Sequence, residues 1–192
     1  MNNTSIRQTV EVFHLLFLDQ LSQKLDRRLY AIKGGCNLRF FFNSIRYSED
    51  MDIDVQTIAK ETLEKKVSGI LNSTPFRQIL LTHHISVTSI STPKQTETTQ
   101  RWKVLLNSSE SANQINTKIE FSRRGVIKDT QLESVNKLLM QAYMLPLSCK
   151  PLHSQTSSHT KNICSGITLT NTSTRYFRSL LTLPTSTINH GY

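Results

Sequence analysis

The sequence predicts an α/β (α+β) domain, a mixed sheet flanked by helices, and three observations predict it. Apolar residues recur at three- and four-residue spacing near the N-terminus and again after residue 57, the period of a buried helix face. Several later segments alternate apolar and polar residues instead, the period of half-buried strands. Between the two patterns lies Lys33 to Val55, KGGCNLRFFFNSIRYSEDMDIDV, with two glycines about fifteen residues ahead of an Asp-x-Asp pair.

In order along the chain, Ser5 to Arg28 reads as an amphipathic helix with Val10, Phe13, Leu16, Phe17, Leu21 and Leu25 on one face. Leu29 to Lys33 is a short apolar run ending in Gly-Gly, the pattern of a buried strand entering a turn. A helical turn or two from Cys36 to Asn43 follows, with Leu38, Phe41 and Phe42 expected to face inward. Met51 to Val55 alternates, so Asp50, Asp52 and Asp54 share one face and Met51 and Ile53 take the other. A helix over Thr57 to Leu71 buries Ile58, Leu63, Val67 and Leu71, and Phe76 to Thr82 reads equally as helix or strand. Ile85 to Ile90, Arg101 to Leu106 and Ile115 to Phe121, separated by polar stretches at 91–98 and 107–114, form an antiparallel meander. Trp102 belongs to the core, and the His83-His84 pair has no third ligand near it in sequence.

The chain has 192 residues, enough for one domain with a core or one domain plus an incomplete second. No apolar run approaches membrane-spanning length and no secretory pattern opens the chain, so neither a membrane nor a signal peptide is expected. Cys36, Cys149 and Cys164 are odd in number and lack metal-ligand spacing, which fits a reducing cytoplasm. The net charge of +9 suits a polyanionic partner such as nucleic acid.

The glycines and acids together suit nucleotidyl transfer. A triphosphate needs a close-approaching backbone, and paired carboxylates at i and i+2 can clamp divalent cations for in-line displacement. Asp50 and Asp52 are the candidates. Glu120, in Lys118-Ile119-Glu120-Phe121, reaches them if its strand pairs beside theirs, as metal ligand or as base. Lys33, Gly34 and Gly35 end a strand where backbone amides can cradle an anion. Arg39 and Arg46 are further phosphate partners, and Ser48 either binds phosphate or braces the loop. Each feature alone has a plainer reading: a turn, a solvated edge, the wet side of a sheet. Their order is what carries weight.

KGGCNLR, RYSEDMDID and KIEFSRR resemble the signature of the AbiEii/AbiGii-type nucleotidyltransferases, toxins of type IV toxin–antitoxin and abortive-infection systems. The resemblance covers roughly Thr9 to Leu145. It places the family's glycine pair on Gly34 and Gly35, its metal pair on Asp50 and Asp52, and the arginine and serine before them on Arg46 and Ser48. Its third acid falls on Glu120, with Lys118 before it and Arg123 or Arg124 after. It implies a DNA polymerase β-like core, Mg²⁺, and transfer of a nucleoside monophosphate from an NTP. The implied acceptor is tRNA or other RNA, and the implied partner a cognate antitoxin. A non-catalytic nucleotide-, RNA- or antitoxin-binding remnant, and a drug-modifying enzyme acting on a small molecule, are the alternatives.

Residues 1–145 read as the nucleotidyltransferase core, and residues 146–192 depart from it. Those 47 residues hold no acid, four Lys or Arg and seventeen Ser or Thr, where the family carries a helical region. The composition suggests a tail translated out of frame and poorly ordered. Read one base later, Ser158 to Thr168 permits AIQKIYALAS and Asn171 to Leu181 permits TQARDIFDLY, both like the family and in its order. The missing region would include side chains that close over the nucleotide, so the expected activity of this chain is reduced or absent.

Overall fold

The computed structural model describes residues 3–109, 111–124, 130–145 and 152–155. The chain divides into two units after Thr156, and every described residue lies in the first. The tail expected to be out of frame is thus outside the described residues, except for 152–155.

Helix α1, Asn3–Lys24, is followed by a 3-10 turn at Arg27–Leu29 and strand β1, Tyr30–Lys33. All six apolar positions read from its periodicity are buried. The helix is nevertheless not amphipathic through its middle: Thr9 to Leu18 is buried all round, including Glu11 and His14. Helix α2, Gly34–Phe41, begins at the glycines themselves. Its inward face is Cys36, Asn37 and Phe40; Leu38, Phe41 and Phe42, expected there, are half-buried. The starting register of the helix, two residues earlier than expected, rotates that face.

Strand β2 is Asp50–Val55 and helix α3 is Lys60–Leu71. The ambiguous segment is helix α4, Thr74–Thr82, capped by the Ser73 side chain on the Phe76 amide, with a proline in its first turn. The meander follows as β3, Ile85–Gln95; β4, Thr99–Ser108; and β5, Ser111–Ser122. Its strands run on through most of the polar stretches at 91–98 and 107–114, which leaves tight turns. Strand β6, Thr130–Glu133, helix α5, Lys137–Ala142, and strand β7, Leu152–Gln155, complete the described chain.

The seven strands form one mixed sheet in the order β3-β4-β5-β2-β1-β7-β6. Pairing is parallel between β2 and β5 and between β1 and β7, and antiparallel elsewhere. Helices α1 and α3 cover one face: His14 meets Thr117 and Ser68 meets the indole of Trp102. Trp102 is fully buried, edge-on to Phe121, and Phe13 packs on Phe76 between α1 and α4. This apolar layer leaves the opposite face to the polar alternate residues of each strand.

Candidate active site

Strand β2 buries Met51, Ile53 and Val55 and turns Asp50, Asp52 and Asp54 to the face away from the helices. The parallel partner β5 sets Asp50 opposite Lys118 and Asp52 opposite Glu120, while antiparallel β1 sets Lys33 opposite Asp52. One cross-strand row therefore reads Lys33, Asp52, Glu120, continuing to Arg101 on β4. The strand pairing that Glu120 needs to reach the aspartates is the one the sheet contains.

Cations interleave these acids. Lys118 Nζ lies 3.0 Å from Asp50 Oδ2, and Lys33 Nζ lies 2.6 Å from Asp54 Oδ1. Arg101 places Nε 2.7 Å and Nη2 2.6 Å from Glu120, both on Oε2. Asp52 differs from them: burial holds its carboxyl above the usual range, opposed by Lys118 and Lys33 and reinforced by Glu120 and Asp50. Desolvated negative charge crowded by two more carboxylates is the setting that a hard divalent cation relieves. Asp50 and Asp52, with Glu120 one strand away, fit Mg²⁺ by donor chemistry. Among the described residues, however, no three His, Cys, Asp or Glu side chains stand close enough together to hold a metal ion.

The two glycines are required by what faces them. Gly34 has φ +66°, and a Cβ there would lie 3.1 Å from Asp52 Oδ2. A Cβ on Gly35 would lie 2.6 Å from Ser48 Oγ, a contact no alanine could hold without movement. Ser48 in turn donates to the Asp50 carbonyl at 2.7 Å. The glycine pair lets the start of α2 press against the residues leading into β2, where Ser48 braces the loop.

A cleft of about 1080 Å³ opens beside this contact, large enough for a nucleotide. Gly34, Gly35, Asp50 and Asp52 form one wall. Arg7 on α1, the loop bearing Arg46 and Tyr47, and Gln114 and Asn116 on β5 complete it. Arg7 and Arg46 are exposed, and neither makes an ion pair among the described residues. They are the cations open to an incoming anion.

Arg39 is corrected by the structure. Its Nε lies 2.5 Å and its Nη2 3.1 Å from the buried carboxylate of Glu11, and Nη1 donates to the Ser44 carbonyl at 2.9 Å. It also stacks 4.4 Å over the Tyr47 ring, and the Tyr143 hydroxyl donates to Glu11. Held by Glu11 and the Ser44 carbonyl, Arg39 ties α2 to α1. Lys33, another expected phosphate partner, is likewise directed at Asp54.

A buried polar chain underlies β2. Thr117 Oγ1 donates to the Glu49 carbonyl at 2.8 Å and meets His14 Nε2 at 2.7 Å; His14 Nδ1 lies 3.5 Å from Cys36 Sγ. Because the threonine's single proton goes to Glu49, the histidine carries its proton on Nε2, while the Cys36 thiol donates to the Asp50 carbonyl at 3.3 Å. Burial lowers the His14 pKa to about 3 and pushes the Cys36 thiol up to about 12. Both stay neutral and fix the entry to β2. Arg7, Arg101 and His14 escape sequence reading because no local spacing ties them to the acids; only alternation along β4 places Arg101 on the right face.

The family described as "Nucleotidyl transferase AbiEii toxin, Type IV TA system" matches residues 16–154. Among solved structures, the fold is similar to MenT4, a nucleotidyltransferase toxin of Mycobacterium tuberculosis H37Rv, with a TM-score of 0.57 and 18% identity. That match covers 77% of this chain and 48% of the other. JHP933 from Helicobacter pylori is similar with a TM-score of 0.51 and 16% identity, covering 70% and 52%. The chain thus spans about half the length of these structures, and identities this low speak to the fold. A comparison with curated protein sequences gives no match.

Proposed function

The chain belongs to the AbiEii nucleotidyltransferase toxin family, and from that premise we propose that its core transfers a nucleoside monophosphate from an NTP to an RNA hydroxyl, tRNA being the leading acceptor. The observation that carries this reading is the cross-strand row that sets Asp52 between Lys33 and Glu120, beside a nucleotide-sized cleft. In the proposed reaction the acceptor oxygen attacks the α-phosphorus in line. A new phosphodiester bond forms, the α–β anhydride bond breaks, and pyrophosphate leaves. Asp50 and Asp52 would hold Mg²⁺, with Glu120 as a further ligand or as the base that takes the hydroxyl proton. Bound there, the ion supplies charge neutralisation for the phosphates.

The remaining roles belong to the chain's own side chains. Gly34 and Gly35 let the triphosphate approach the α2 backbone, and Arg46 and Arg7 offset its charge across the cleft. Lys118 neutralises Asp50 until an incoming cation replaces it. An antitoxin protein is the partner the family description supports. The tail beyond β7 and beyond the family match, which ends at residue 154, is proposed to be out of frame, which leaves the core without the region that follows it in the family. A non-catalytic remnant is the second reading, favoured by the pairing of Asp50, Asp54 and Glu120 with Lys118, Lys33 and Arg101.

Incubation with α-labelled NTPs, Mg²⁺ and total tRNA tests both. Label that enters tRNA and disappears in Asp50→Ala supports the toxin reading. Nucleotide binding without any transfer, even after the +1 frame is restored, supports the remnant.

A further inference from the structure

The sheet face that carries the acids extends beyond them. The same register that sets Glu120 beside Asp52 continues to Arg101 on β4 and Lys94 on β3. The next row runs from Asp50 to Lys118, Lys103 and Ser91. Four cations therefore stand in two adjacent rows across β5, β4 and β3. Adjacent strands lie ~4.8 Å apart, so the rows run roughly 14 Å from the acids toward the β3 edge. Glu120 is the one acid of the meander in these rows, and Arg101 neutralises it. Lys103 is exposed and Lys94 half-exposed, and neither makes an ion pair among the described residues. The aromatic side chains of the meander, Trp102 and Phe121, point into the core instead.

We propose that this open face of β3–β5 is the docking surface for single-stranded RNA, which lies across Lys94 and Lys103 and brings its acceptor end to Asp50 and Asp52. The inference rests on the RNA-acceptor reading above. Charge complementarity selects the occupant: a positive lane ending at a cation-binding acid pair suits a polyphosphate chain whose terminal hydroxyl must reach those acids. The lack of an aromatic platform sets the mode. Without stacking, contact is to phosphate and sugar, so binding is strongly salt-dependent and nearly indifferent to base sequence.

The experiment is fluorescence anisotropy of the full 192-residue chain with labelled twelve-nucleotide oligouridylate and oligoadenylate, titrated across salt. Removing two phosphate contacts in Lys94→Gln/Lys103→Gln should reduce the slope of log K against log salt by about 1.4 and weaken binding about tenfold at low salt. Lys65→Gln, an exposed lysine on α3 over the opposite face, should leave both unchanged. The two oligonucleotides should bind within about threefold of each other. An unchanged slope in the double variant, an equal loss in Lys65→Gln, or no RNA binding by the native chain overturns the surface. The readout needs no turnover. RNA binding of the expected kind by a chain that transfers nothing leaves the surface standing and removes the catalytic reading. Transfer to RNA with an unchanged slope removes the surface alone.

Discussion

Gly35 and Ser48 form the tightest constraint around the acids. An alanine methyl at 35 would sit 2.6 Å from Ser48 Oγ and 2.9 Å from its Cβ. Gly35→Ala should therefore destabilise the fold by about 1–3 kcal/mol, and Ser48→Gly in the same chain should recover most of that in a denaturation double-mutant cycle. Arg39 makes a second residue-level prediction. Glu11 is 2% exposed, so Glu11→Ala leaves a mostly buried guanidinium without its counter-ion and should cost ~3–5 kcal/mol. Arg39→Gln should lower stability while leaving nucleotide affinity, measured by equilibrium binding, within about twofold; a phosphate ligand would weaken binding tenfold or more. Sequence alone offers Arg39 and Arg46 as equals. What separates them is Glu11, a charged residue within a helix whose periodicity marks it as a polar position. That periodicity cannot reveal that the helix is buried on all sides.

At the scale of elements, the link between α1, α2 and β5 runs through His14. Its folded pKa, about 3, lies below the ordinary imidazole value of 6.5. Between those values the unfolded chain holds the extra proton, so stability from this group is complete above pH 6.5 and falls as pH drops toward 3. From pH 8 to 5 the loss from this residue should reach about 2 kcal/mol. Urea denaturation at both pH values, for the native chain and for His14→Gln, checks it: the variant should show a smaller pH-dependent loss. Equal losses would mean that His14 already shares its proton with solvent when folded. Strand β2 was legible in the sequence because alternation over six residues allows one side-chain arrangement, and Glu120 followed from the same rule. Alternation alone ends β3 at residue 90, since the outer half of the strand carries Ser, Thr and Lys on a face that no core covers. Helix α4 stayed ambiguous on periodicity, although Ser73 and Pro75 are an N-terminal signal that decides it.

Across the whole molecule, the acid row, the cleft and the family match describe a nucleotidyltransferase core. The composition beyond the family match, after residue 154, describes something else. An aspartate pair and its cross-strand glutamate can be read from two short motifs because strand period and pairing fix their geometry. The cation that holds the glutamate, Arg101, comes from a strand that carries no motif of its own. The most direct test of the account is α-labelled NTP transfer to total tRNA, run with Mg²⁺ on the +1-repaired chain, on that chain with Asp52→Asn, and on the native chain. The repaired chain should label tRNA, the Asp52→Asn form should fall by roughly 10³-fold or more, and the native chain should give little or no label. Undiminished labelling by Asp52→Asn, or a repaired chain that folds and binds NTP yet transfers nothing, would contradict it.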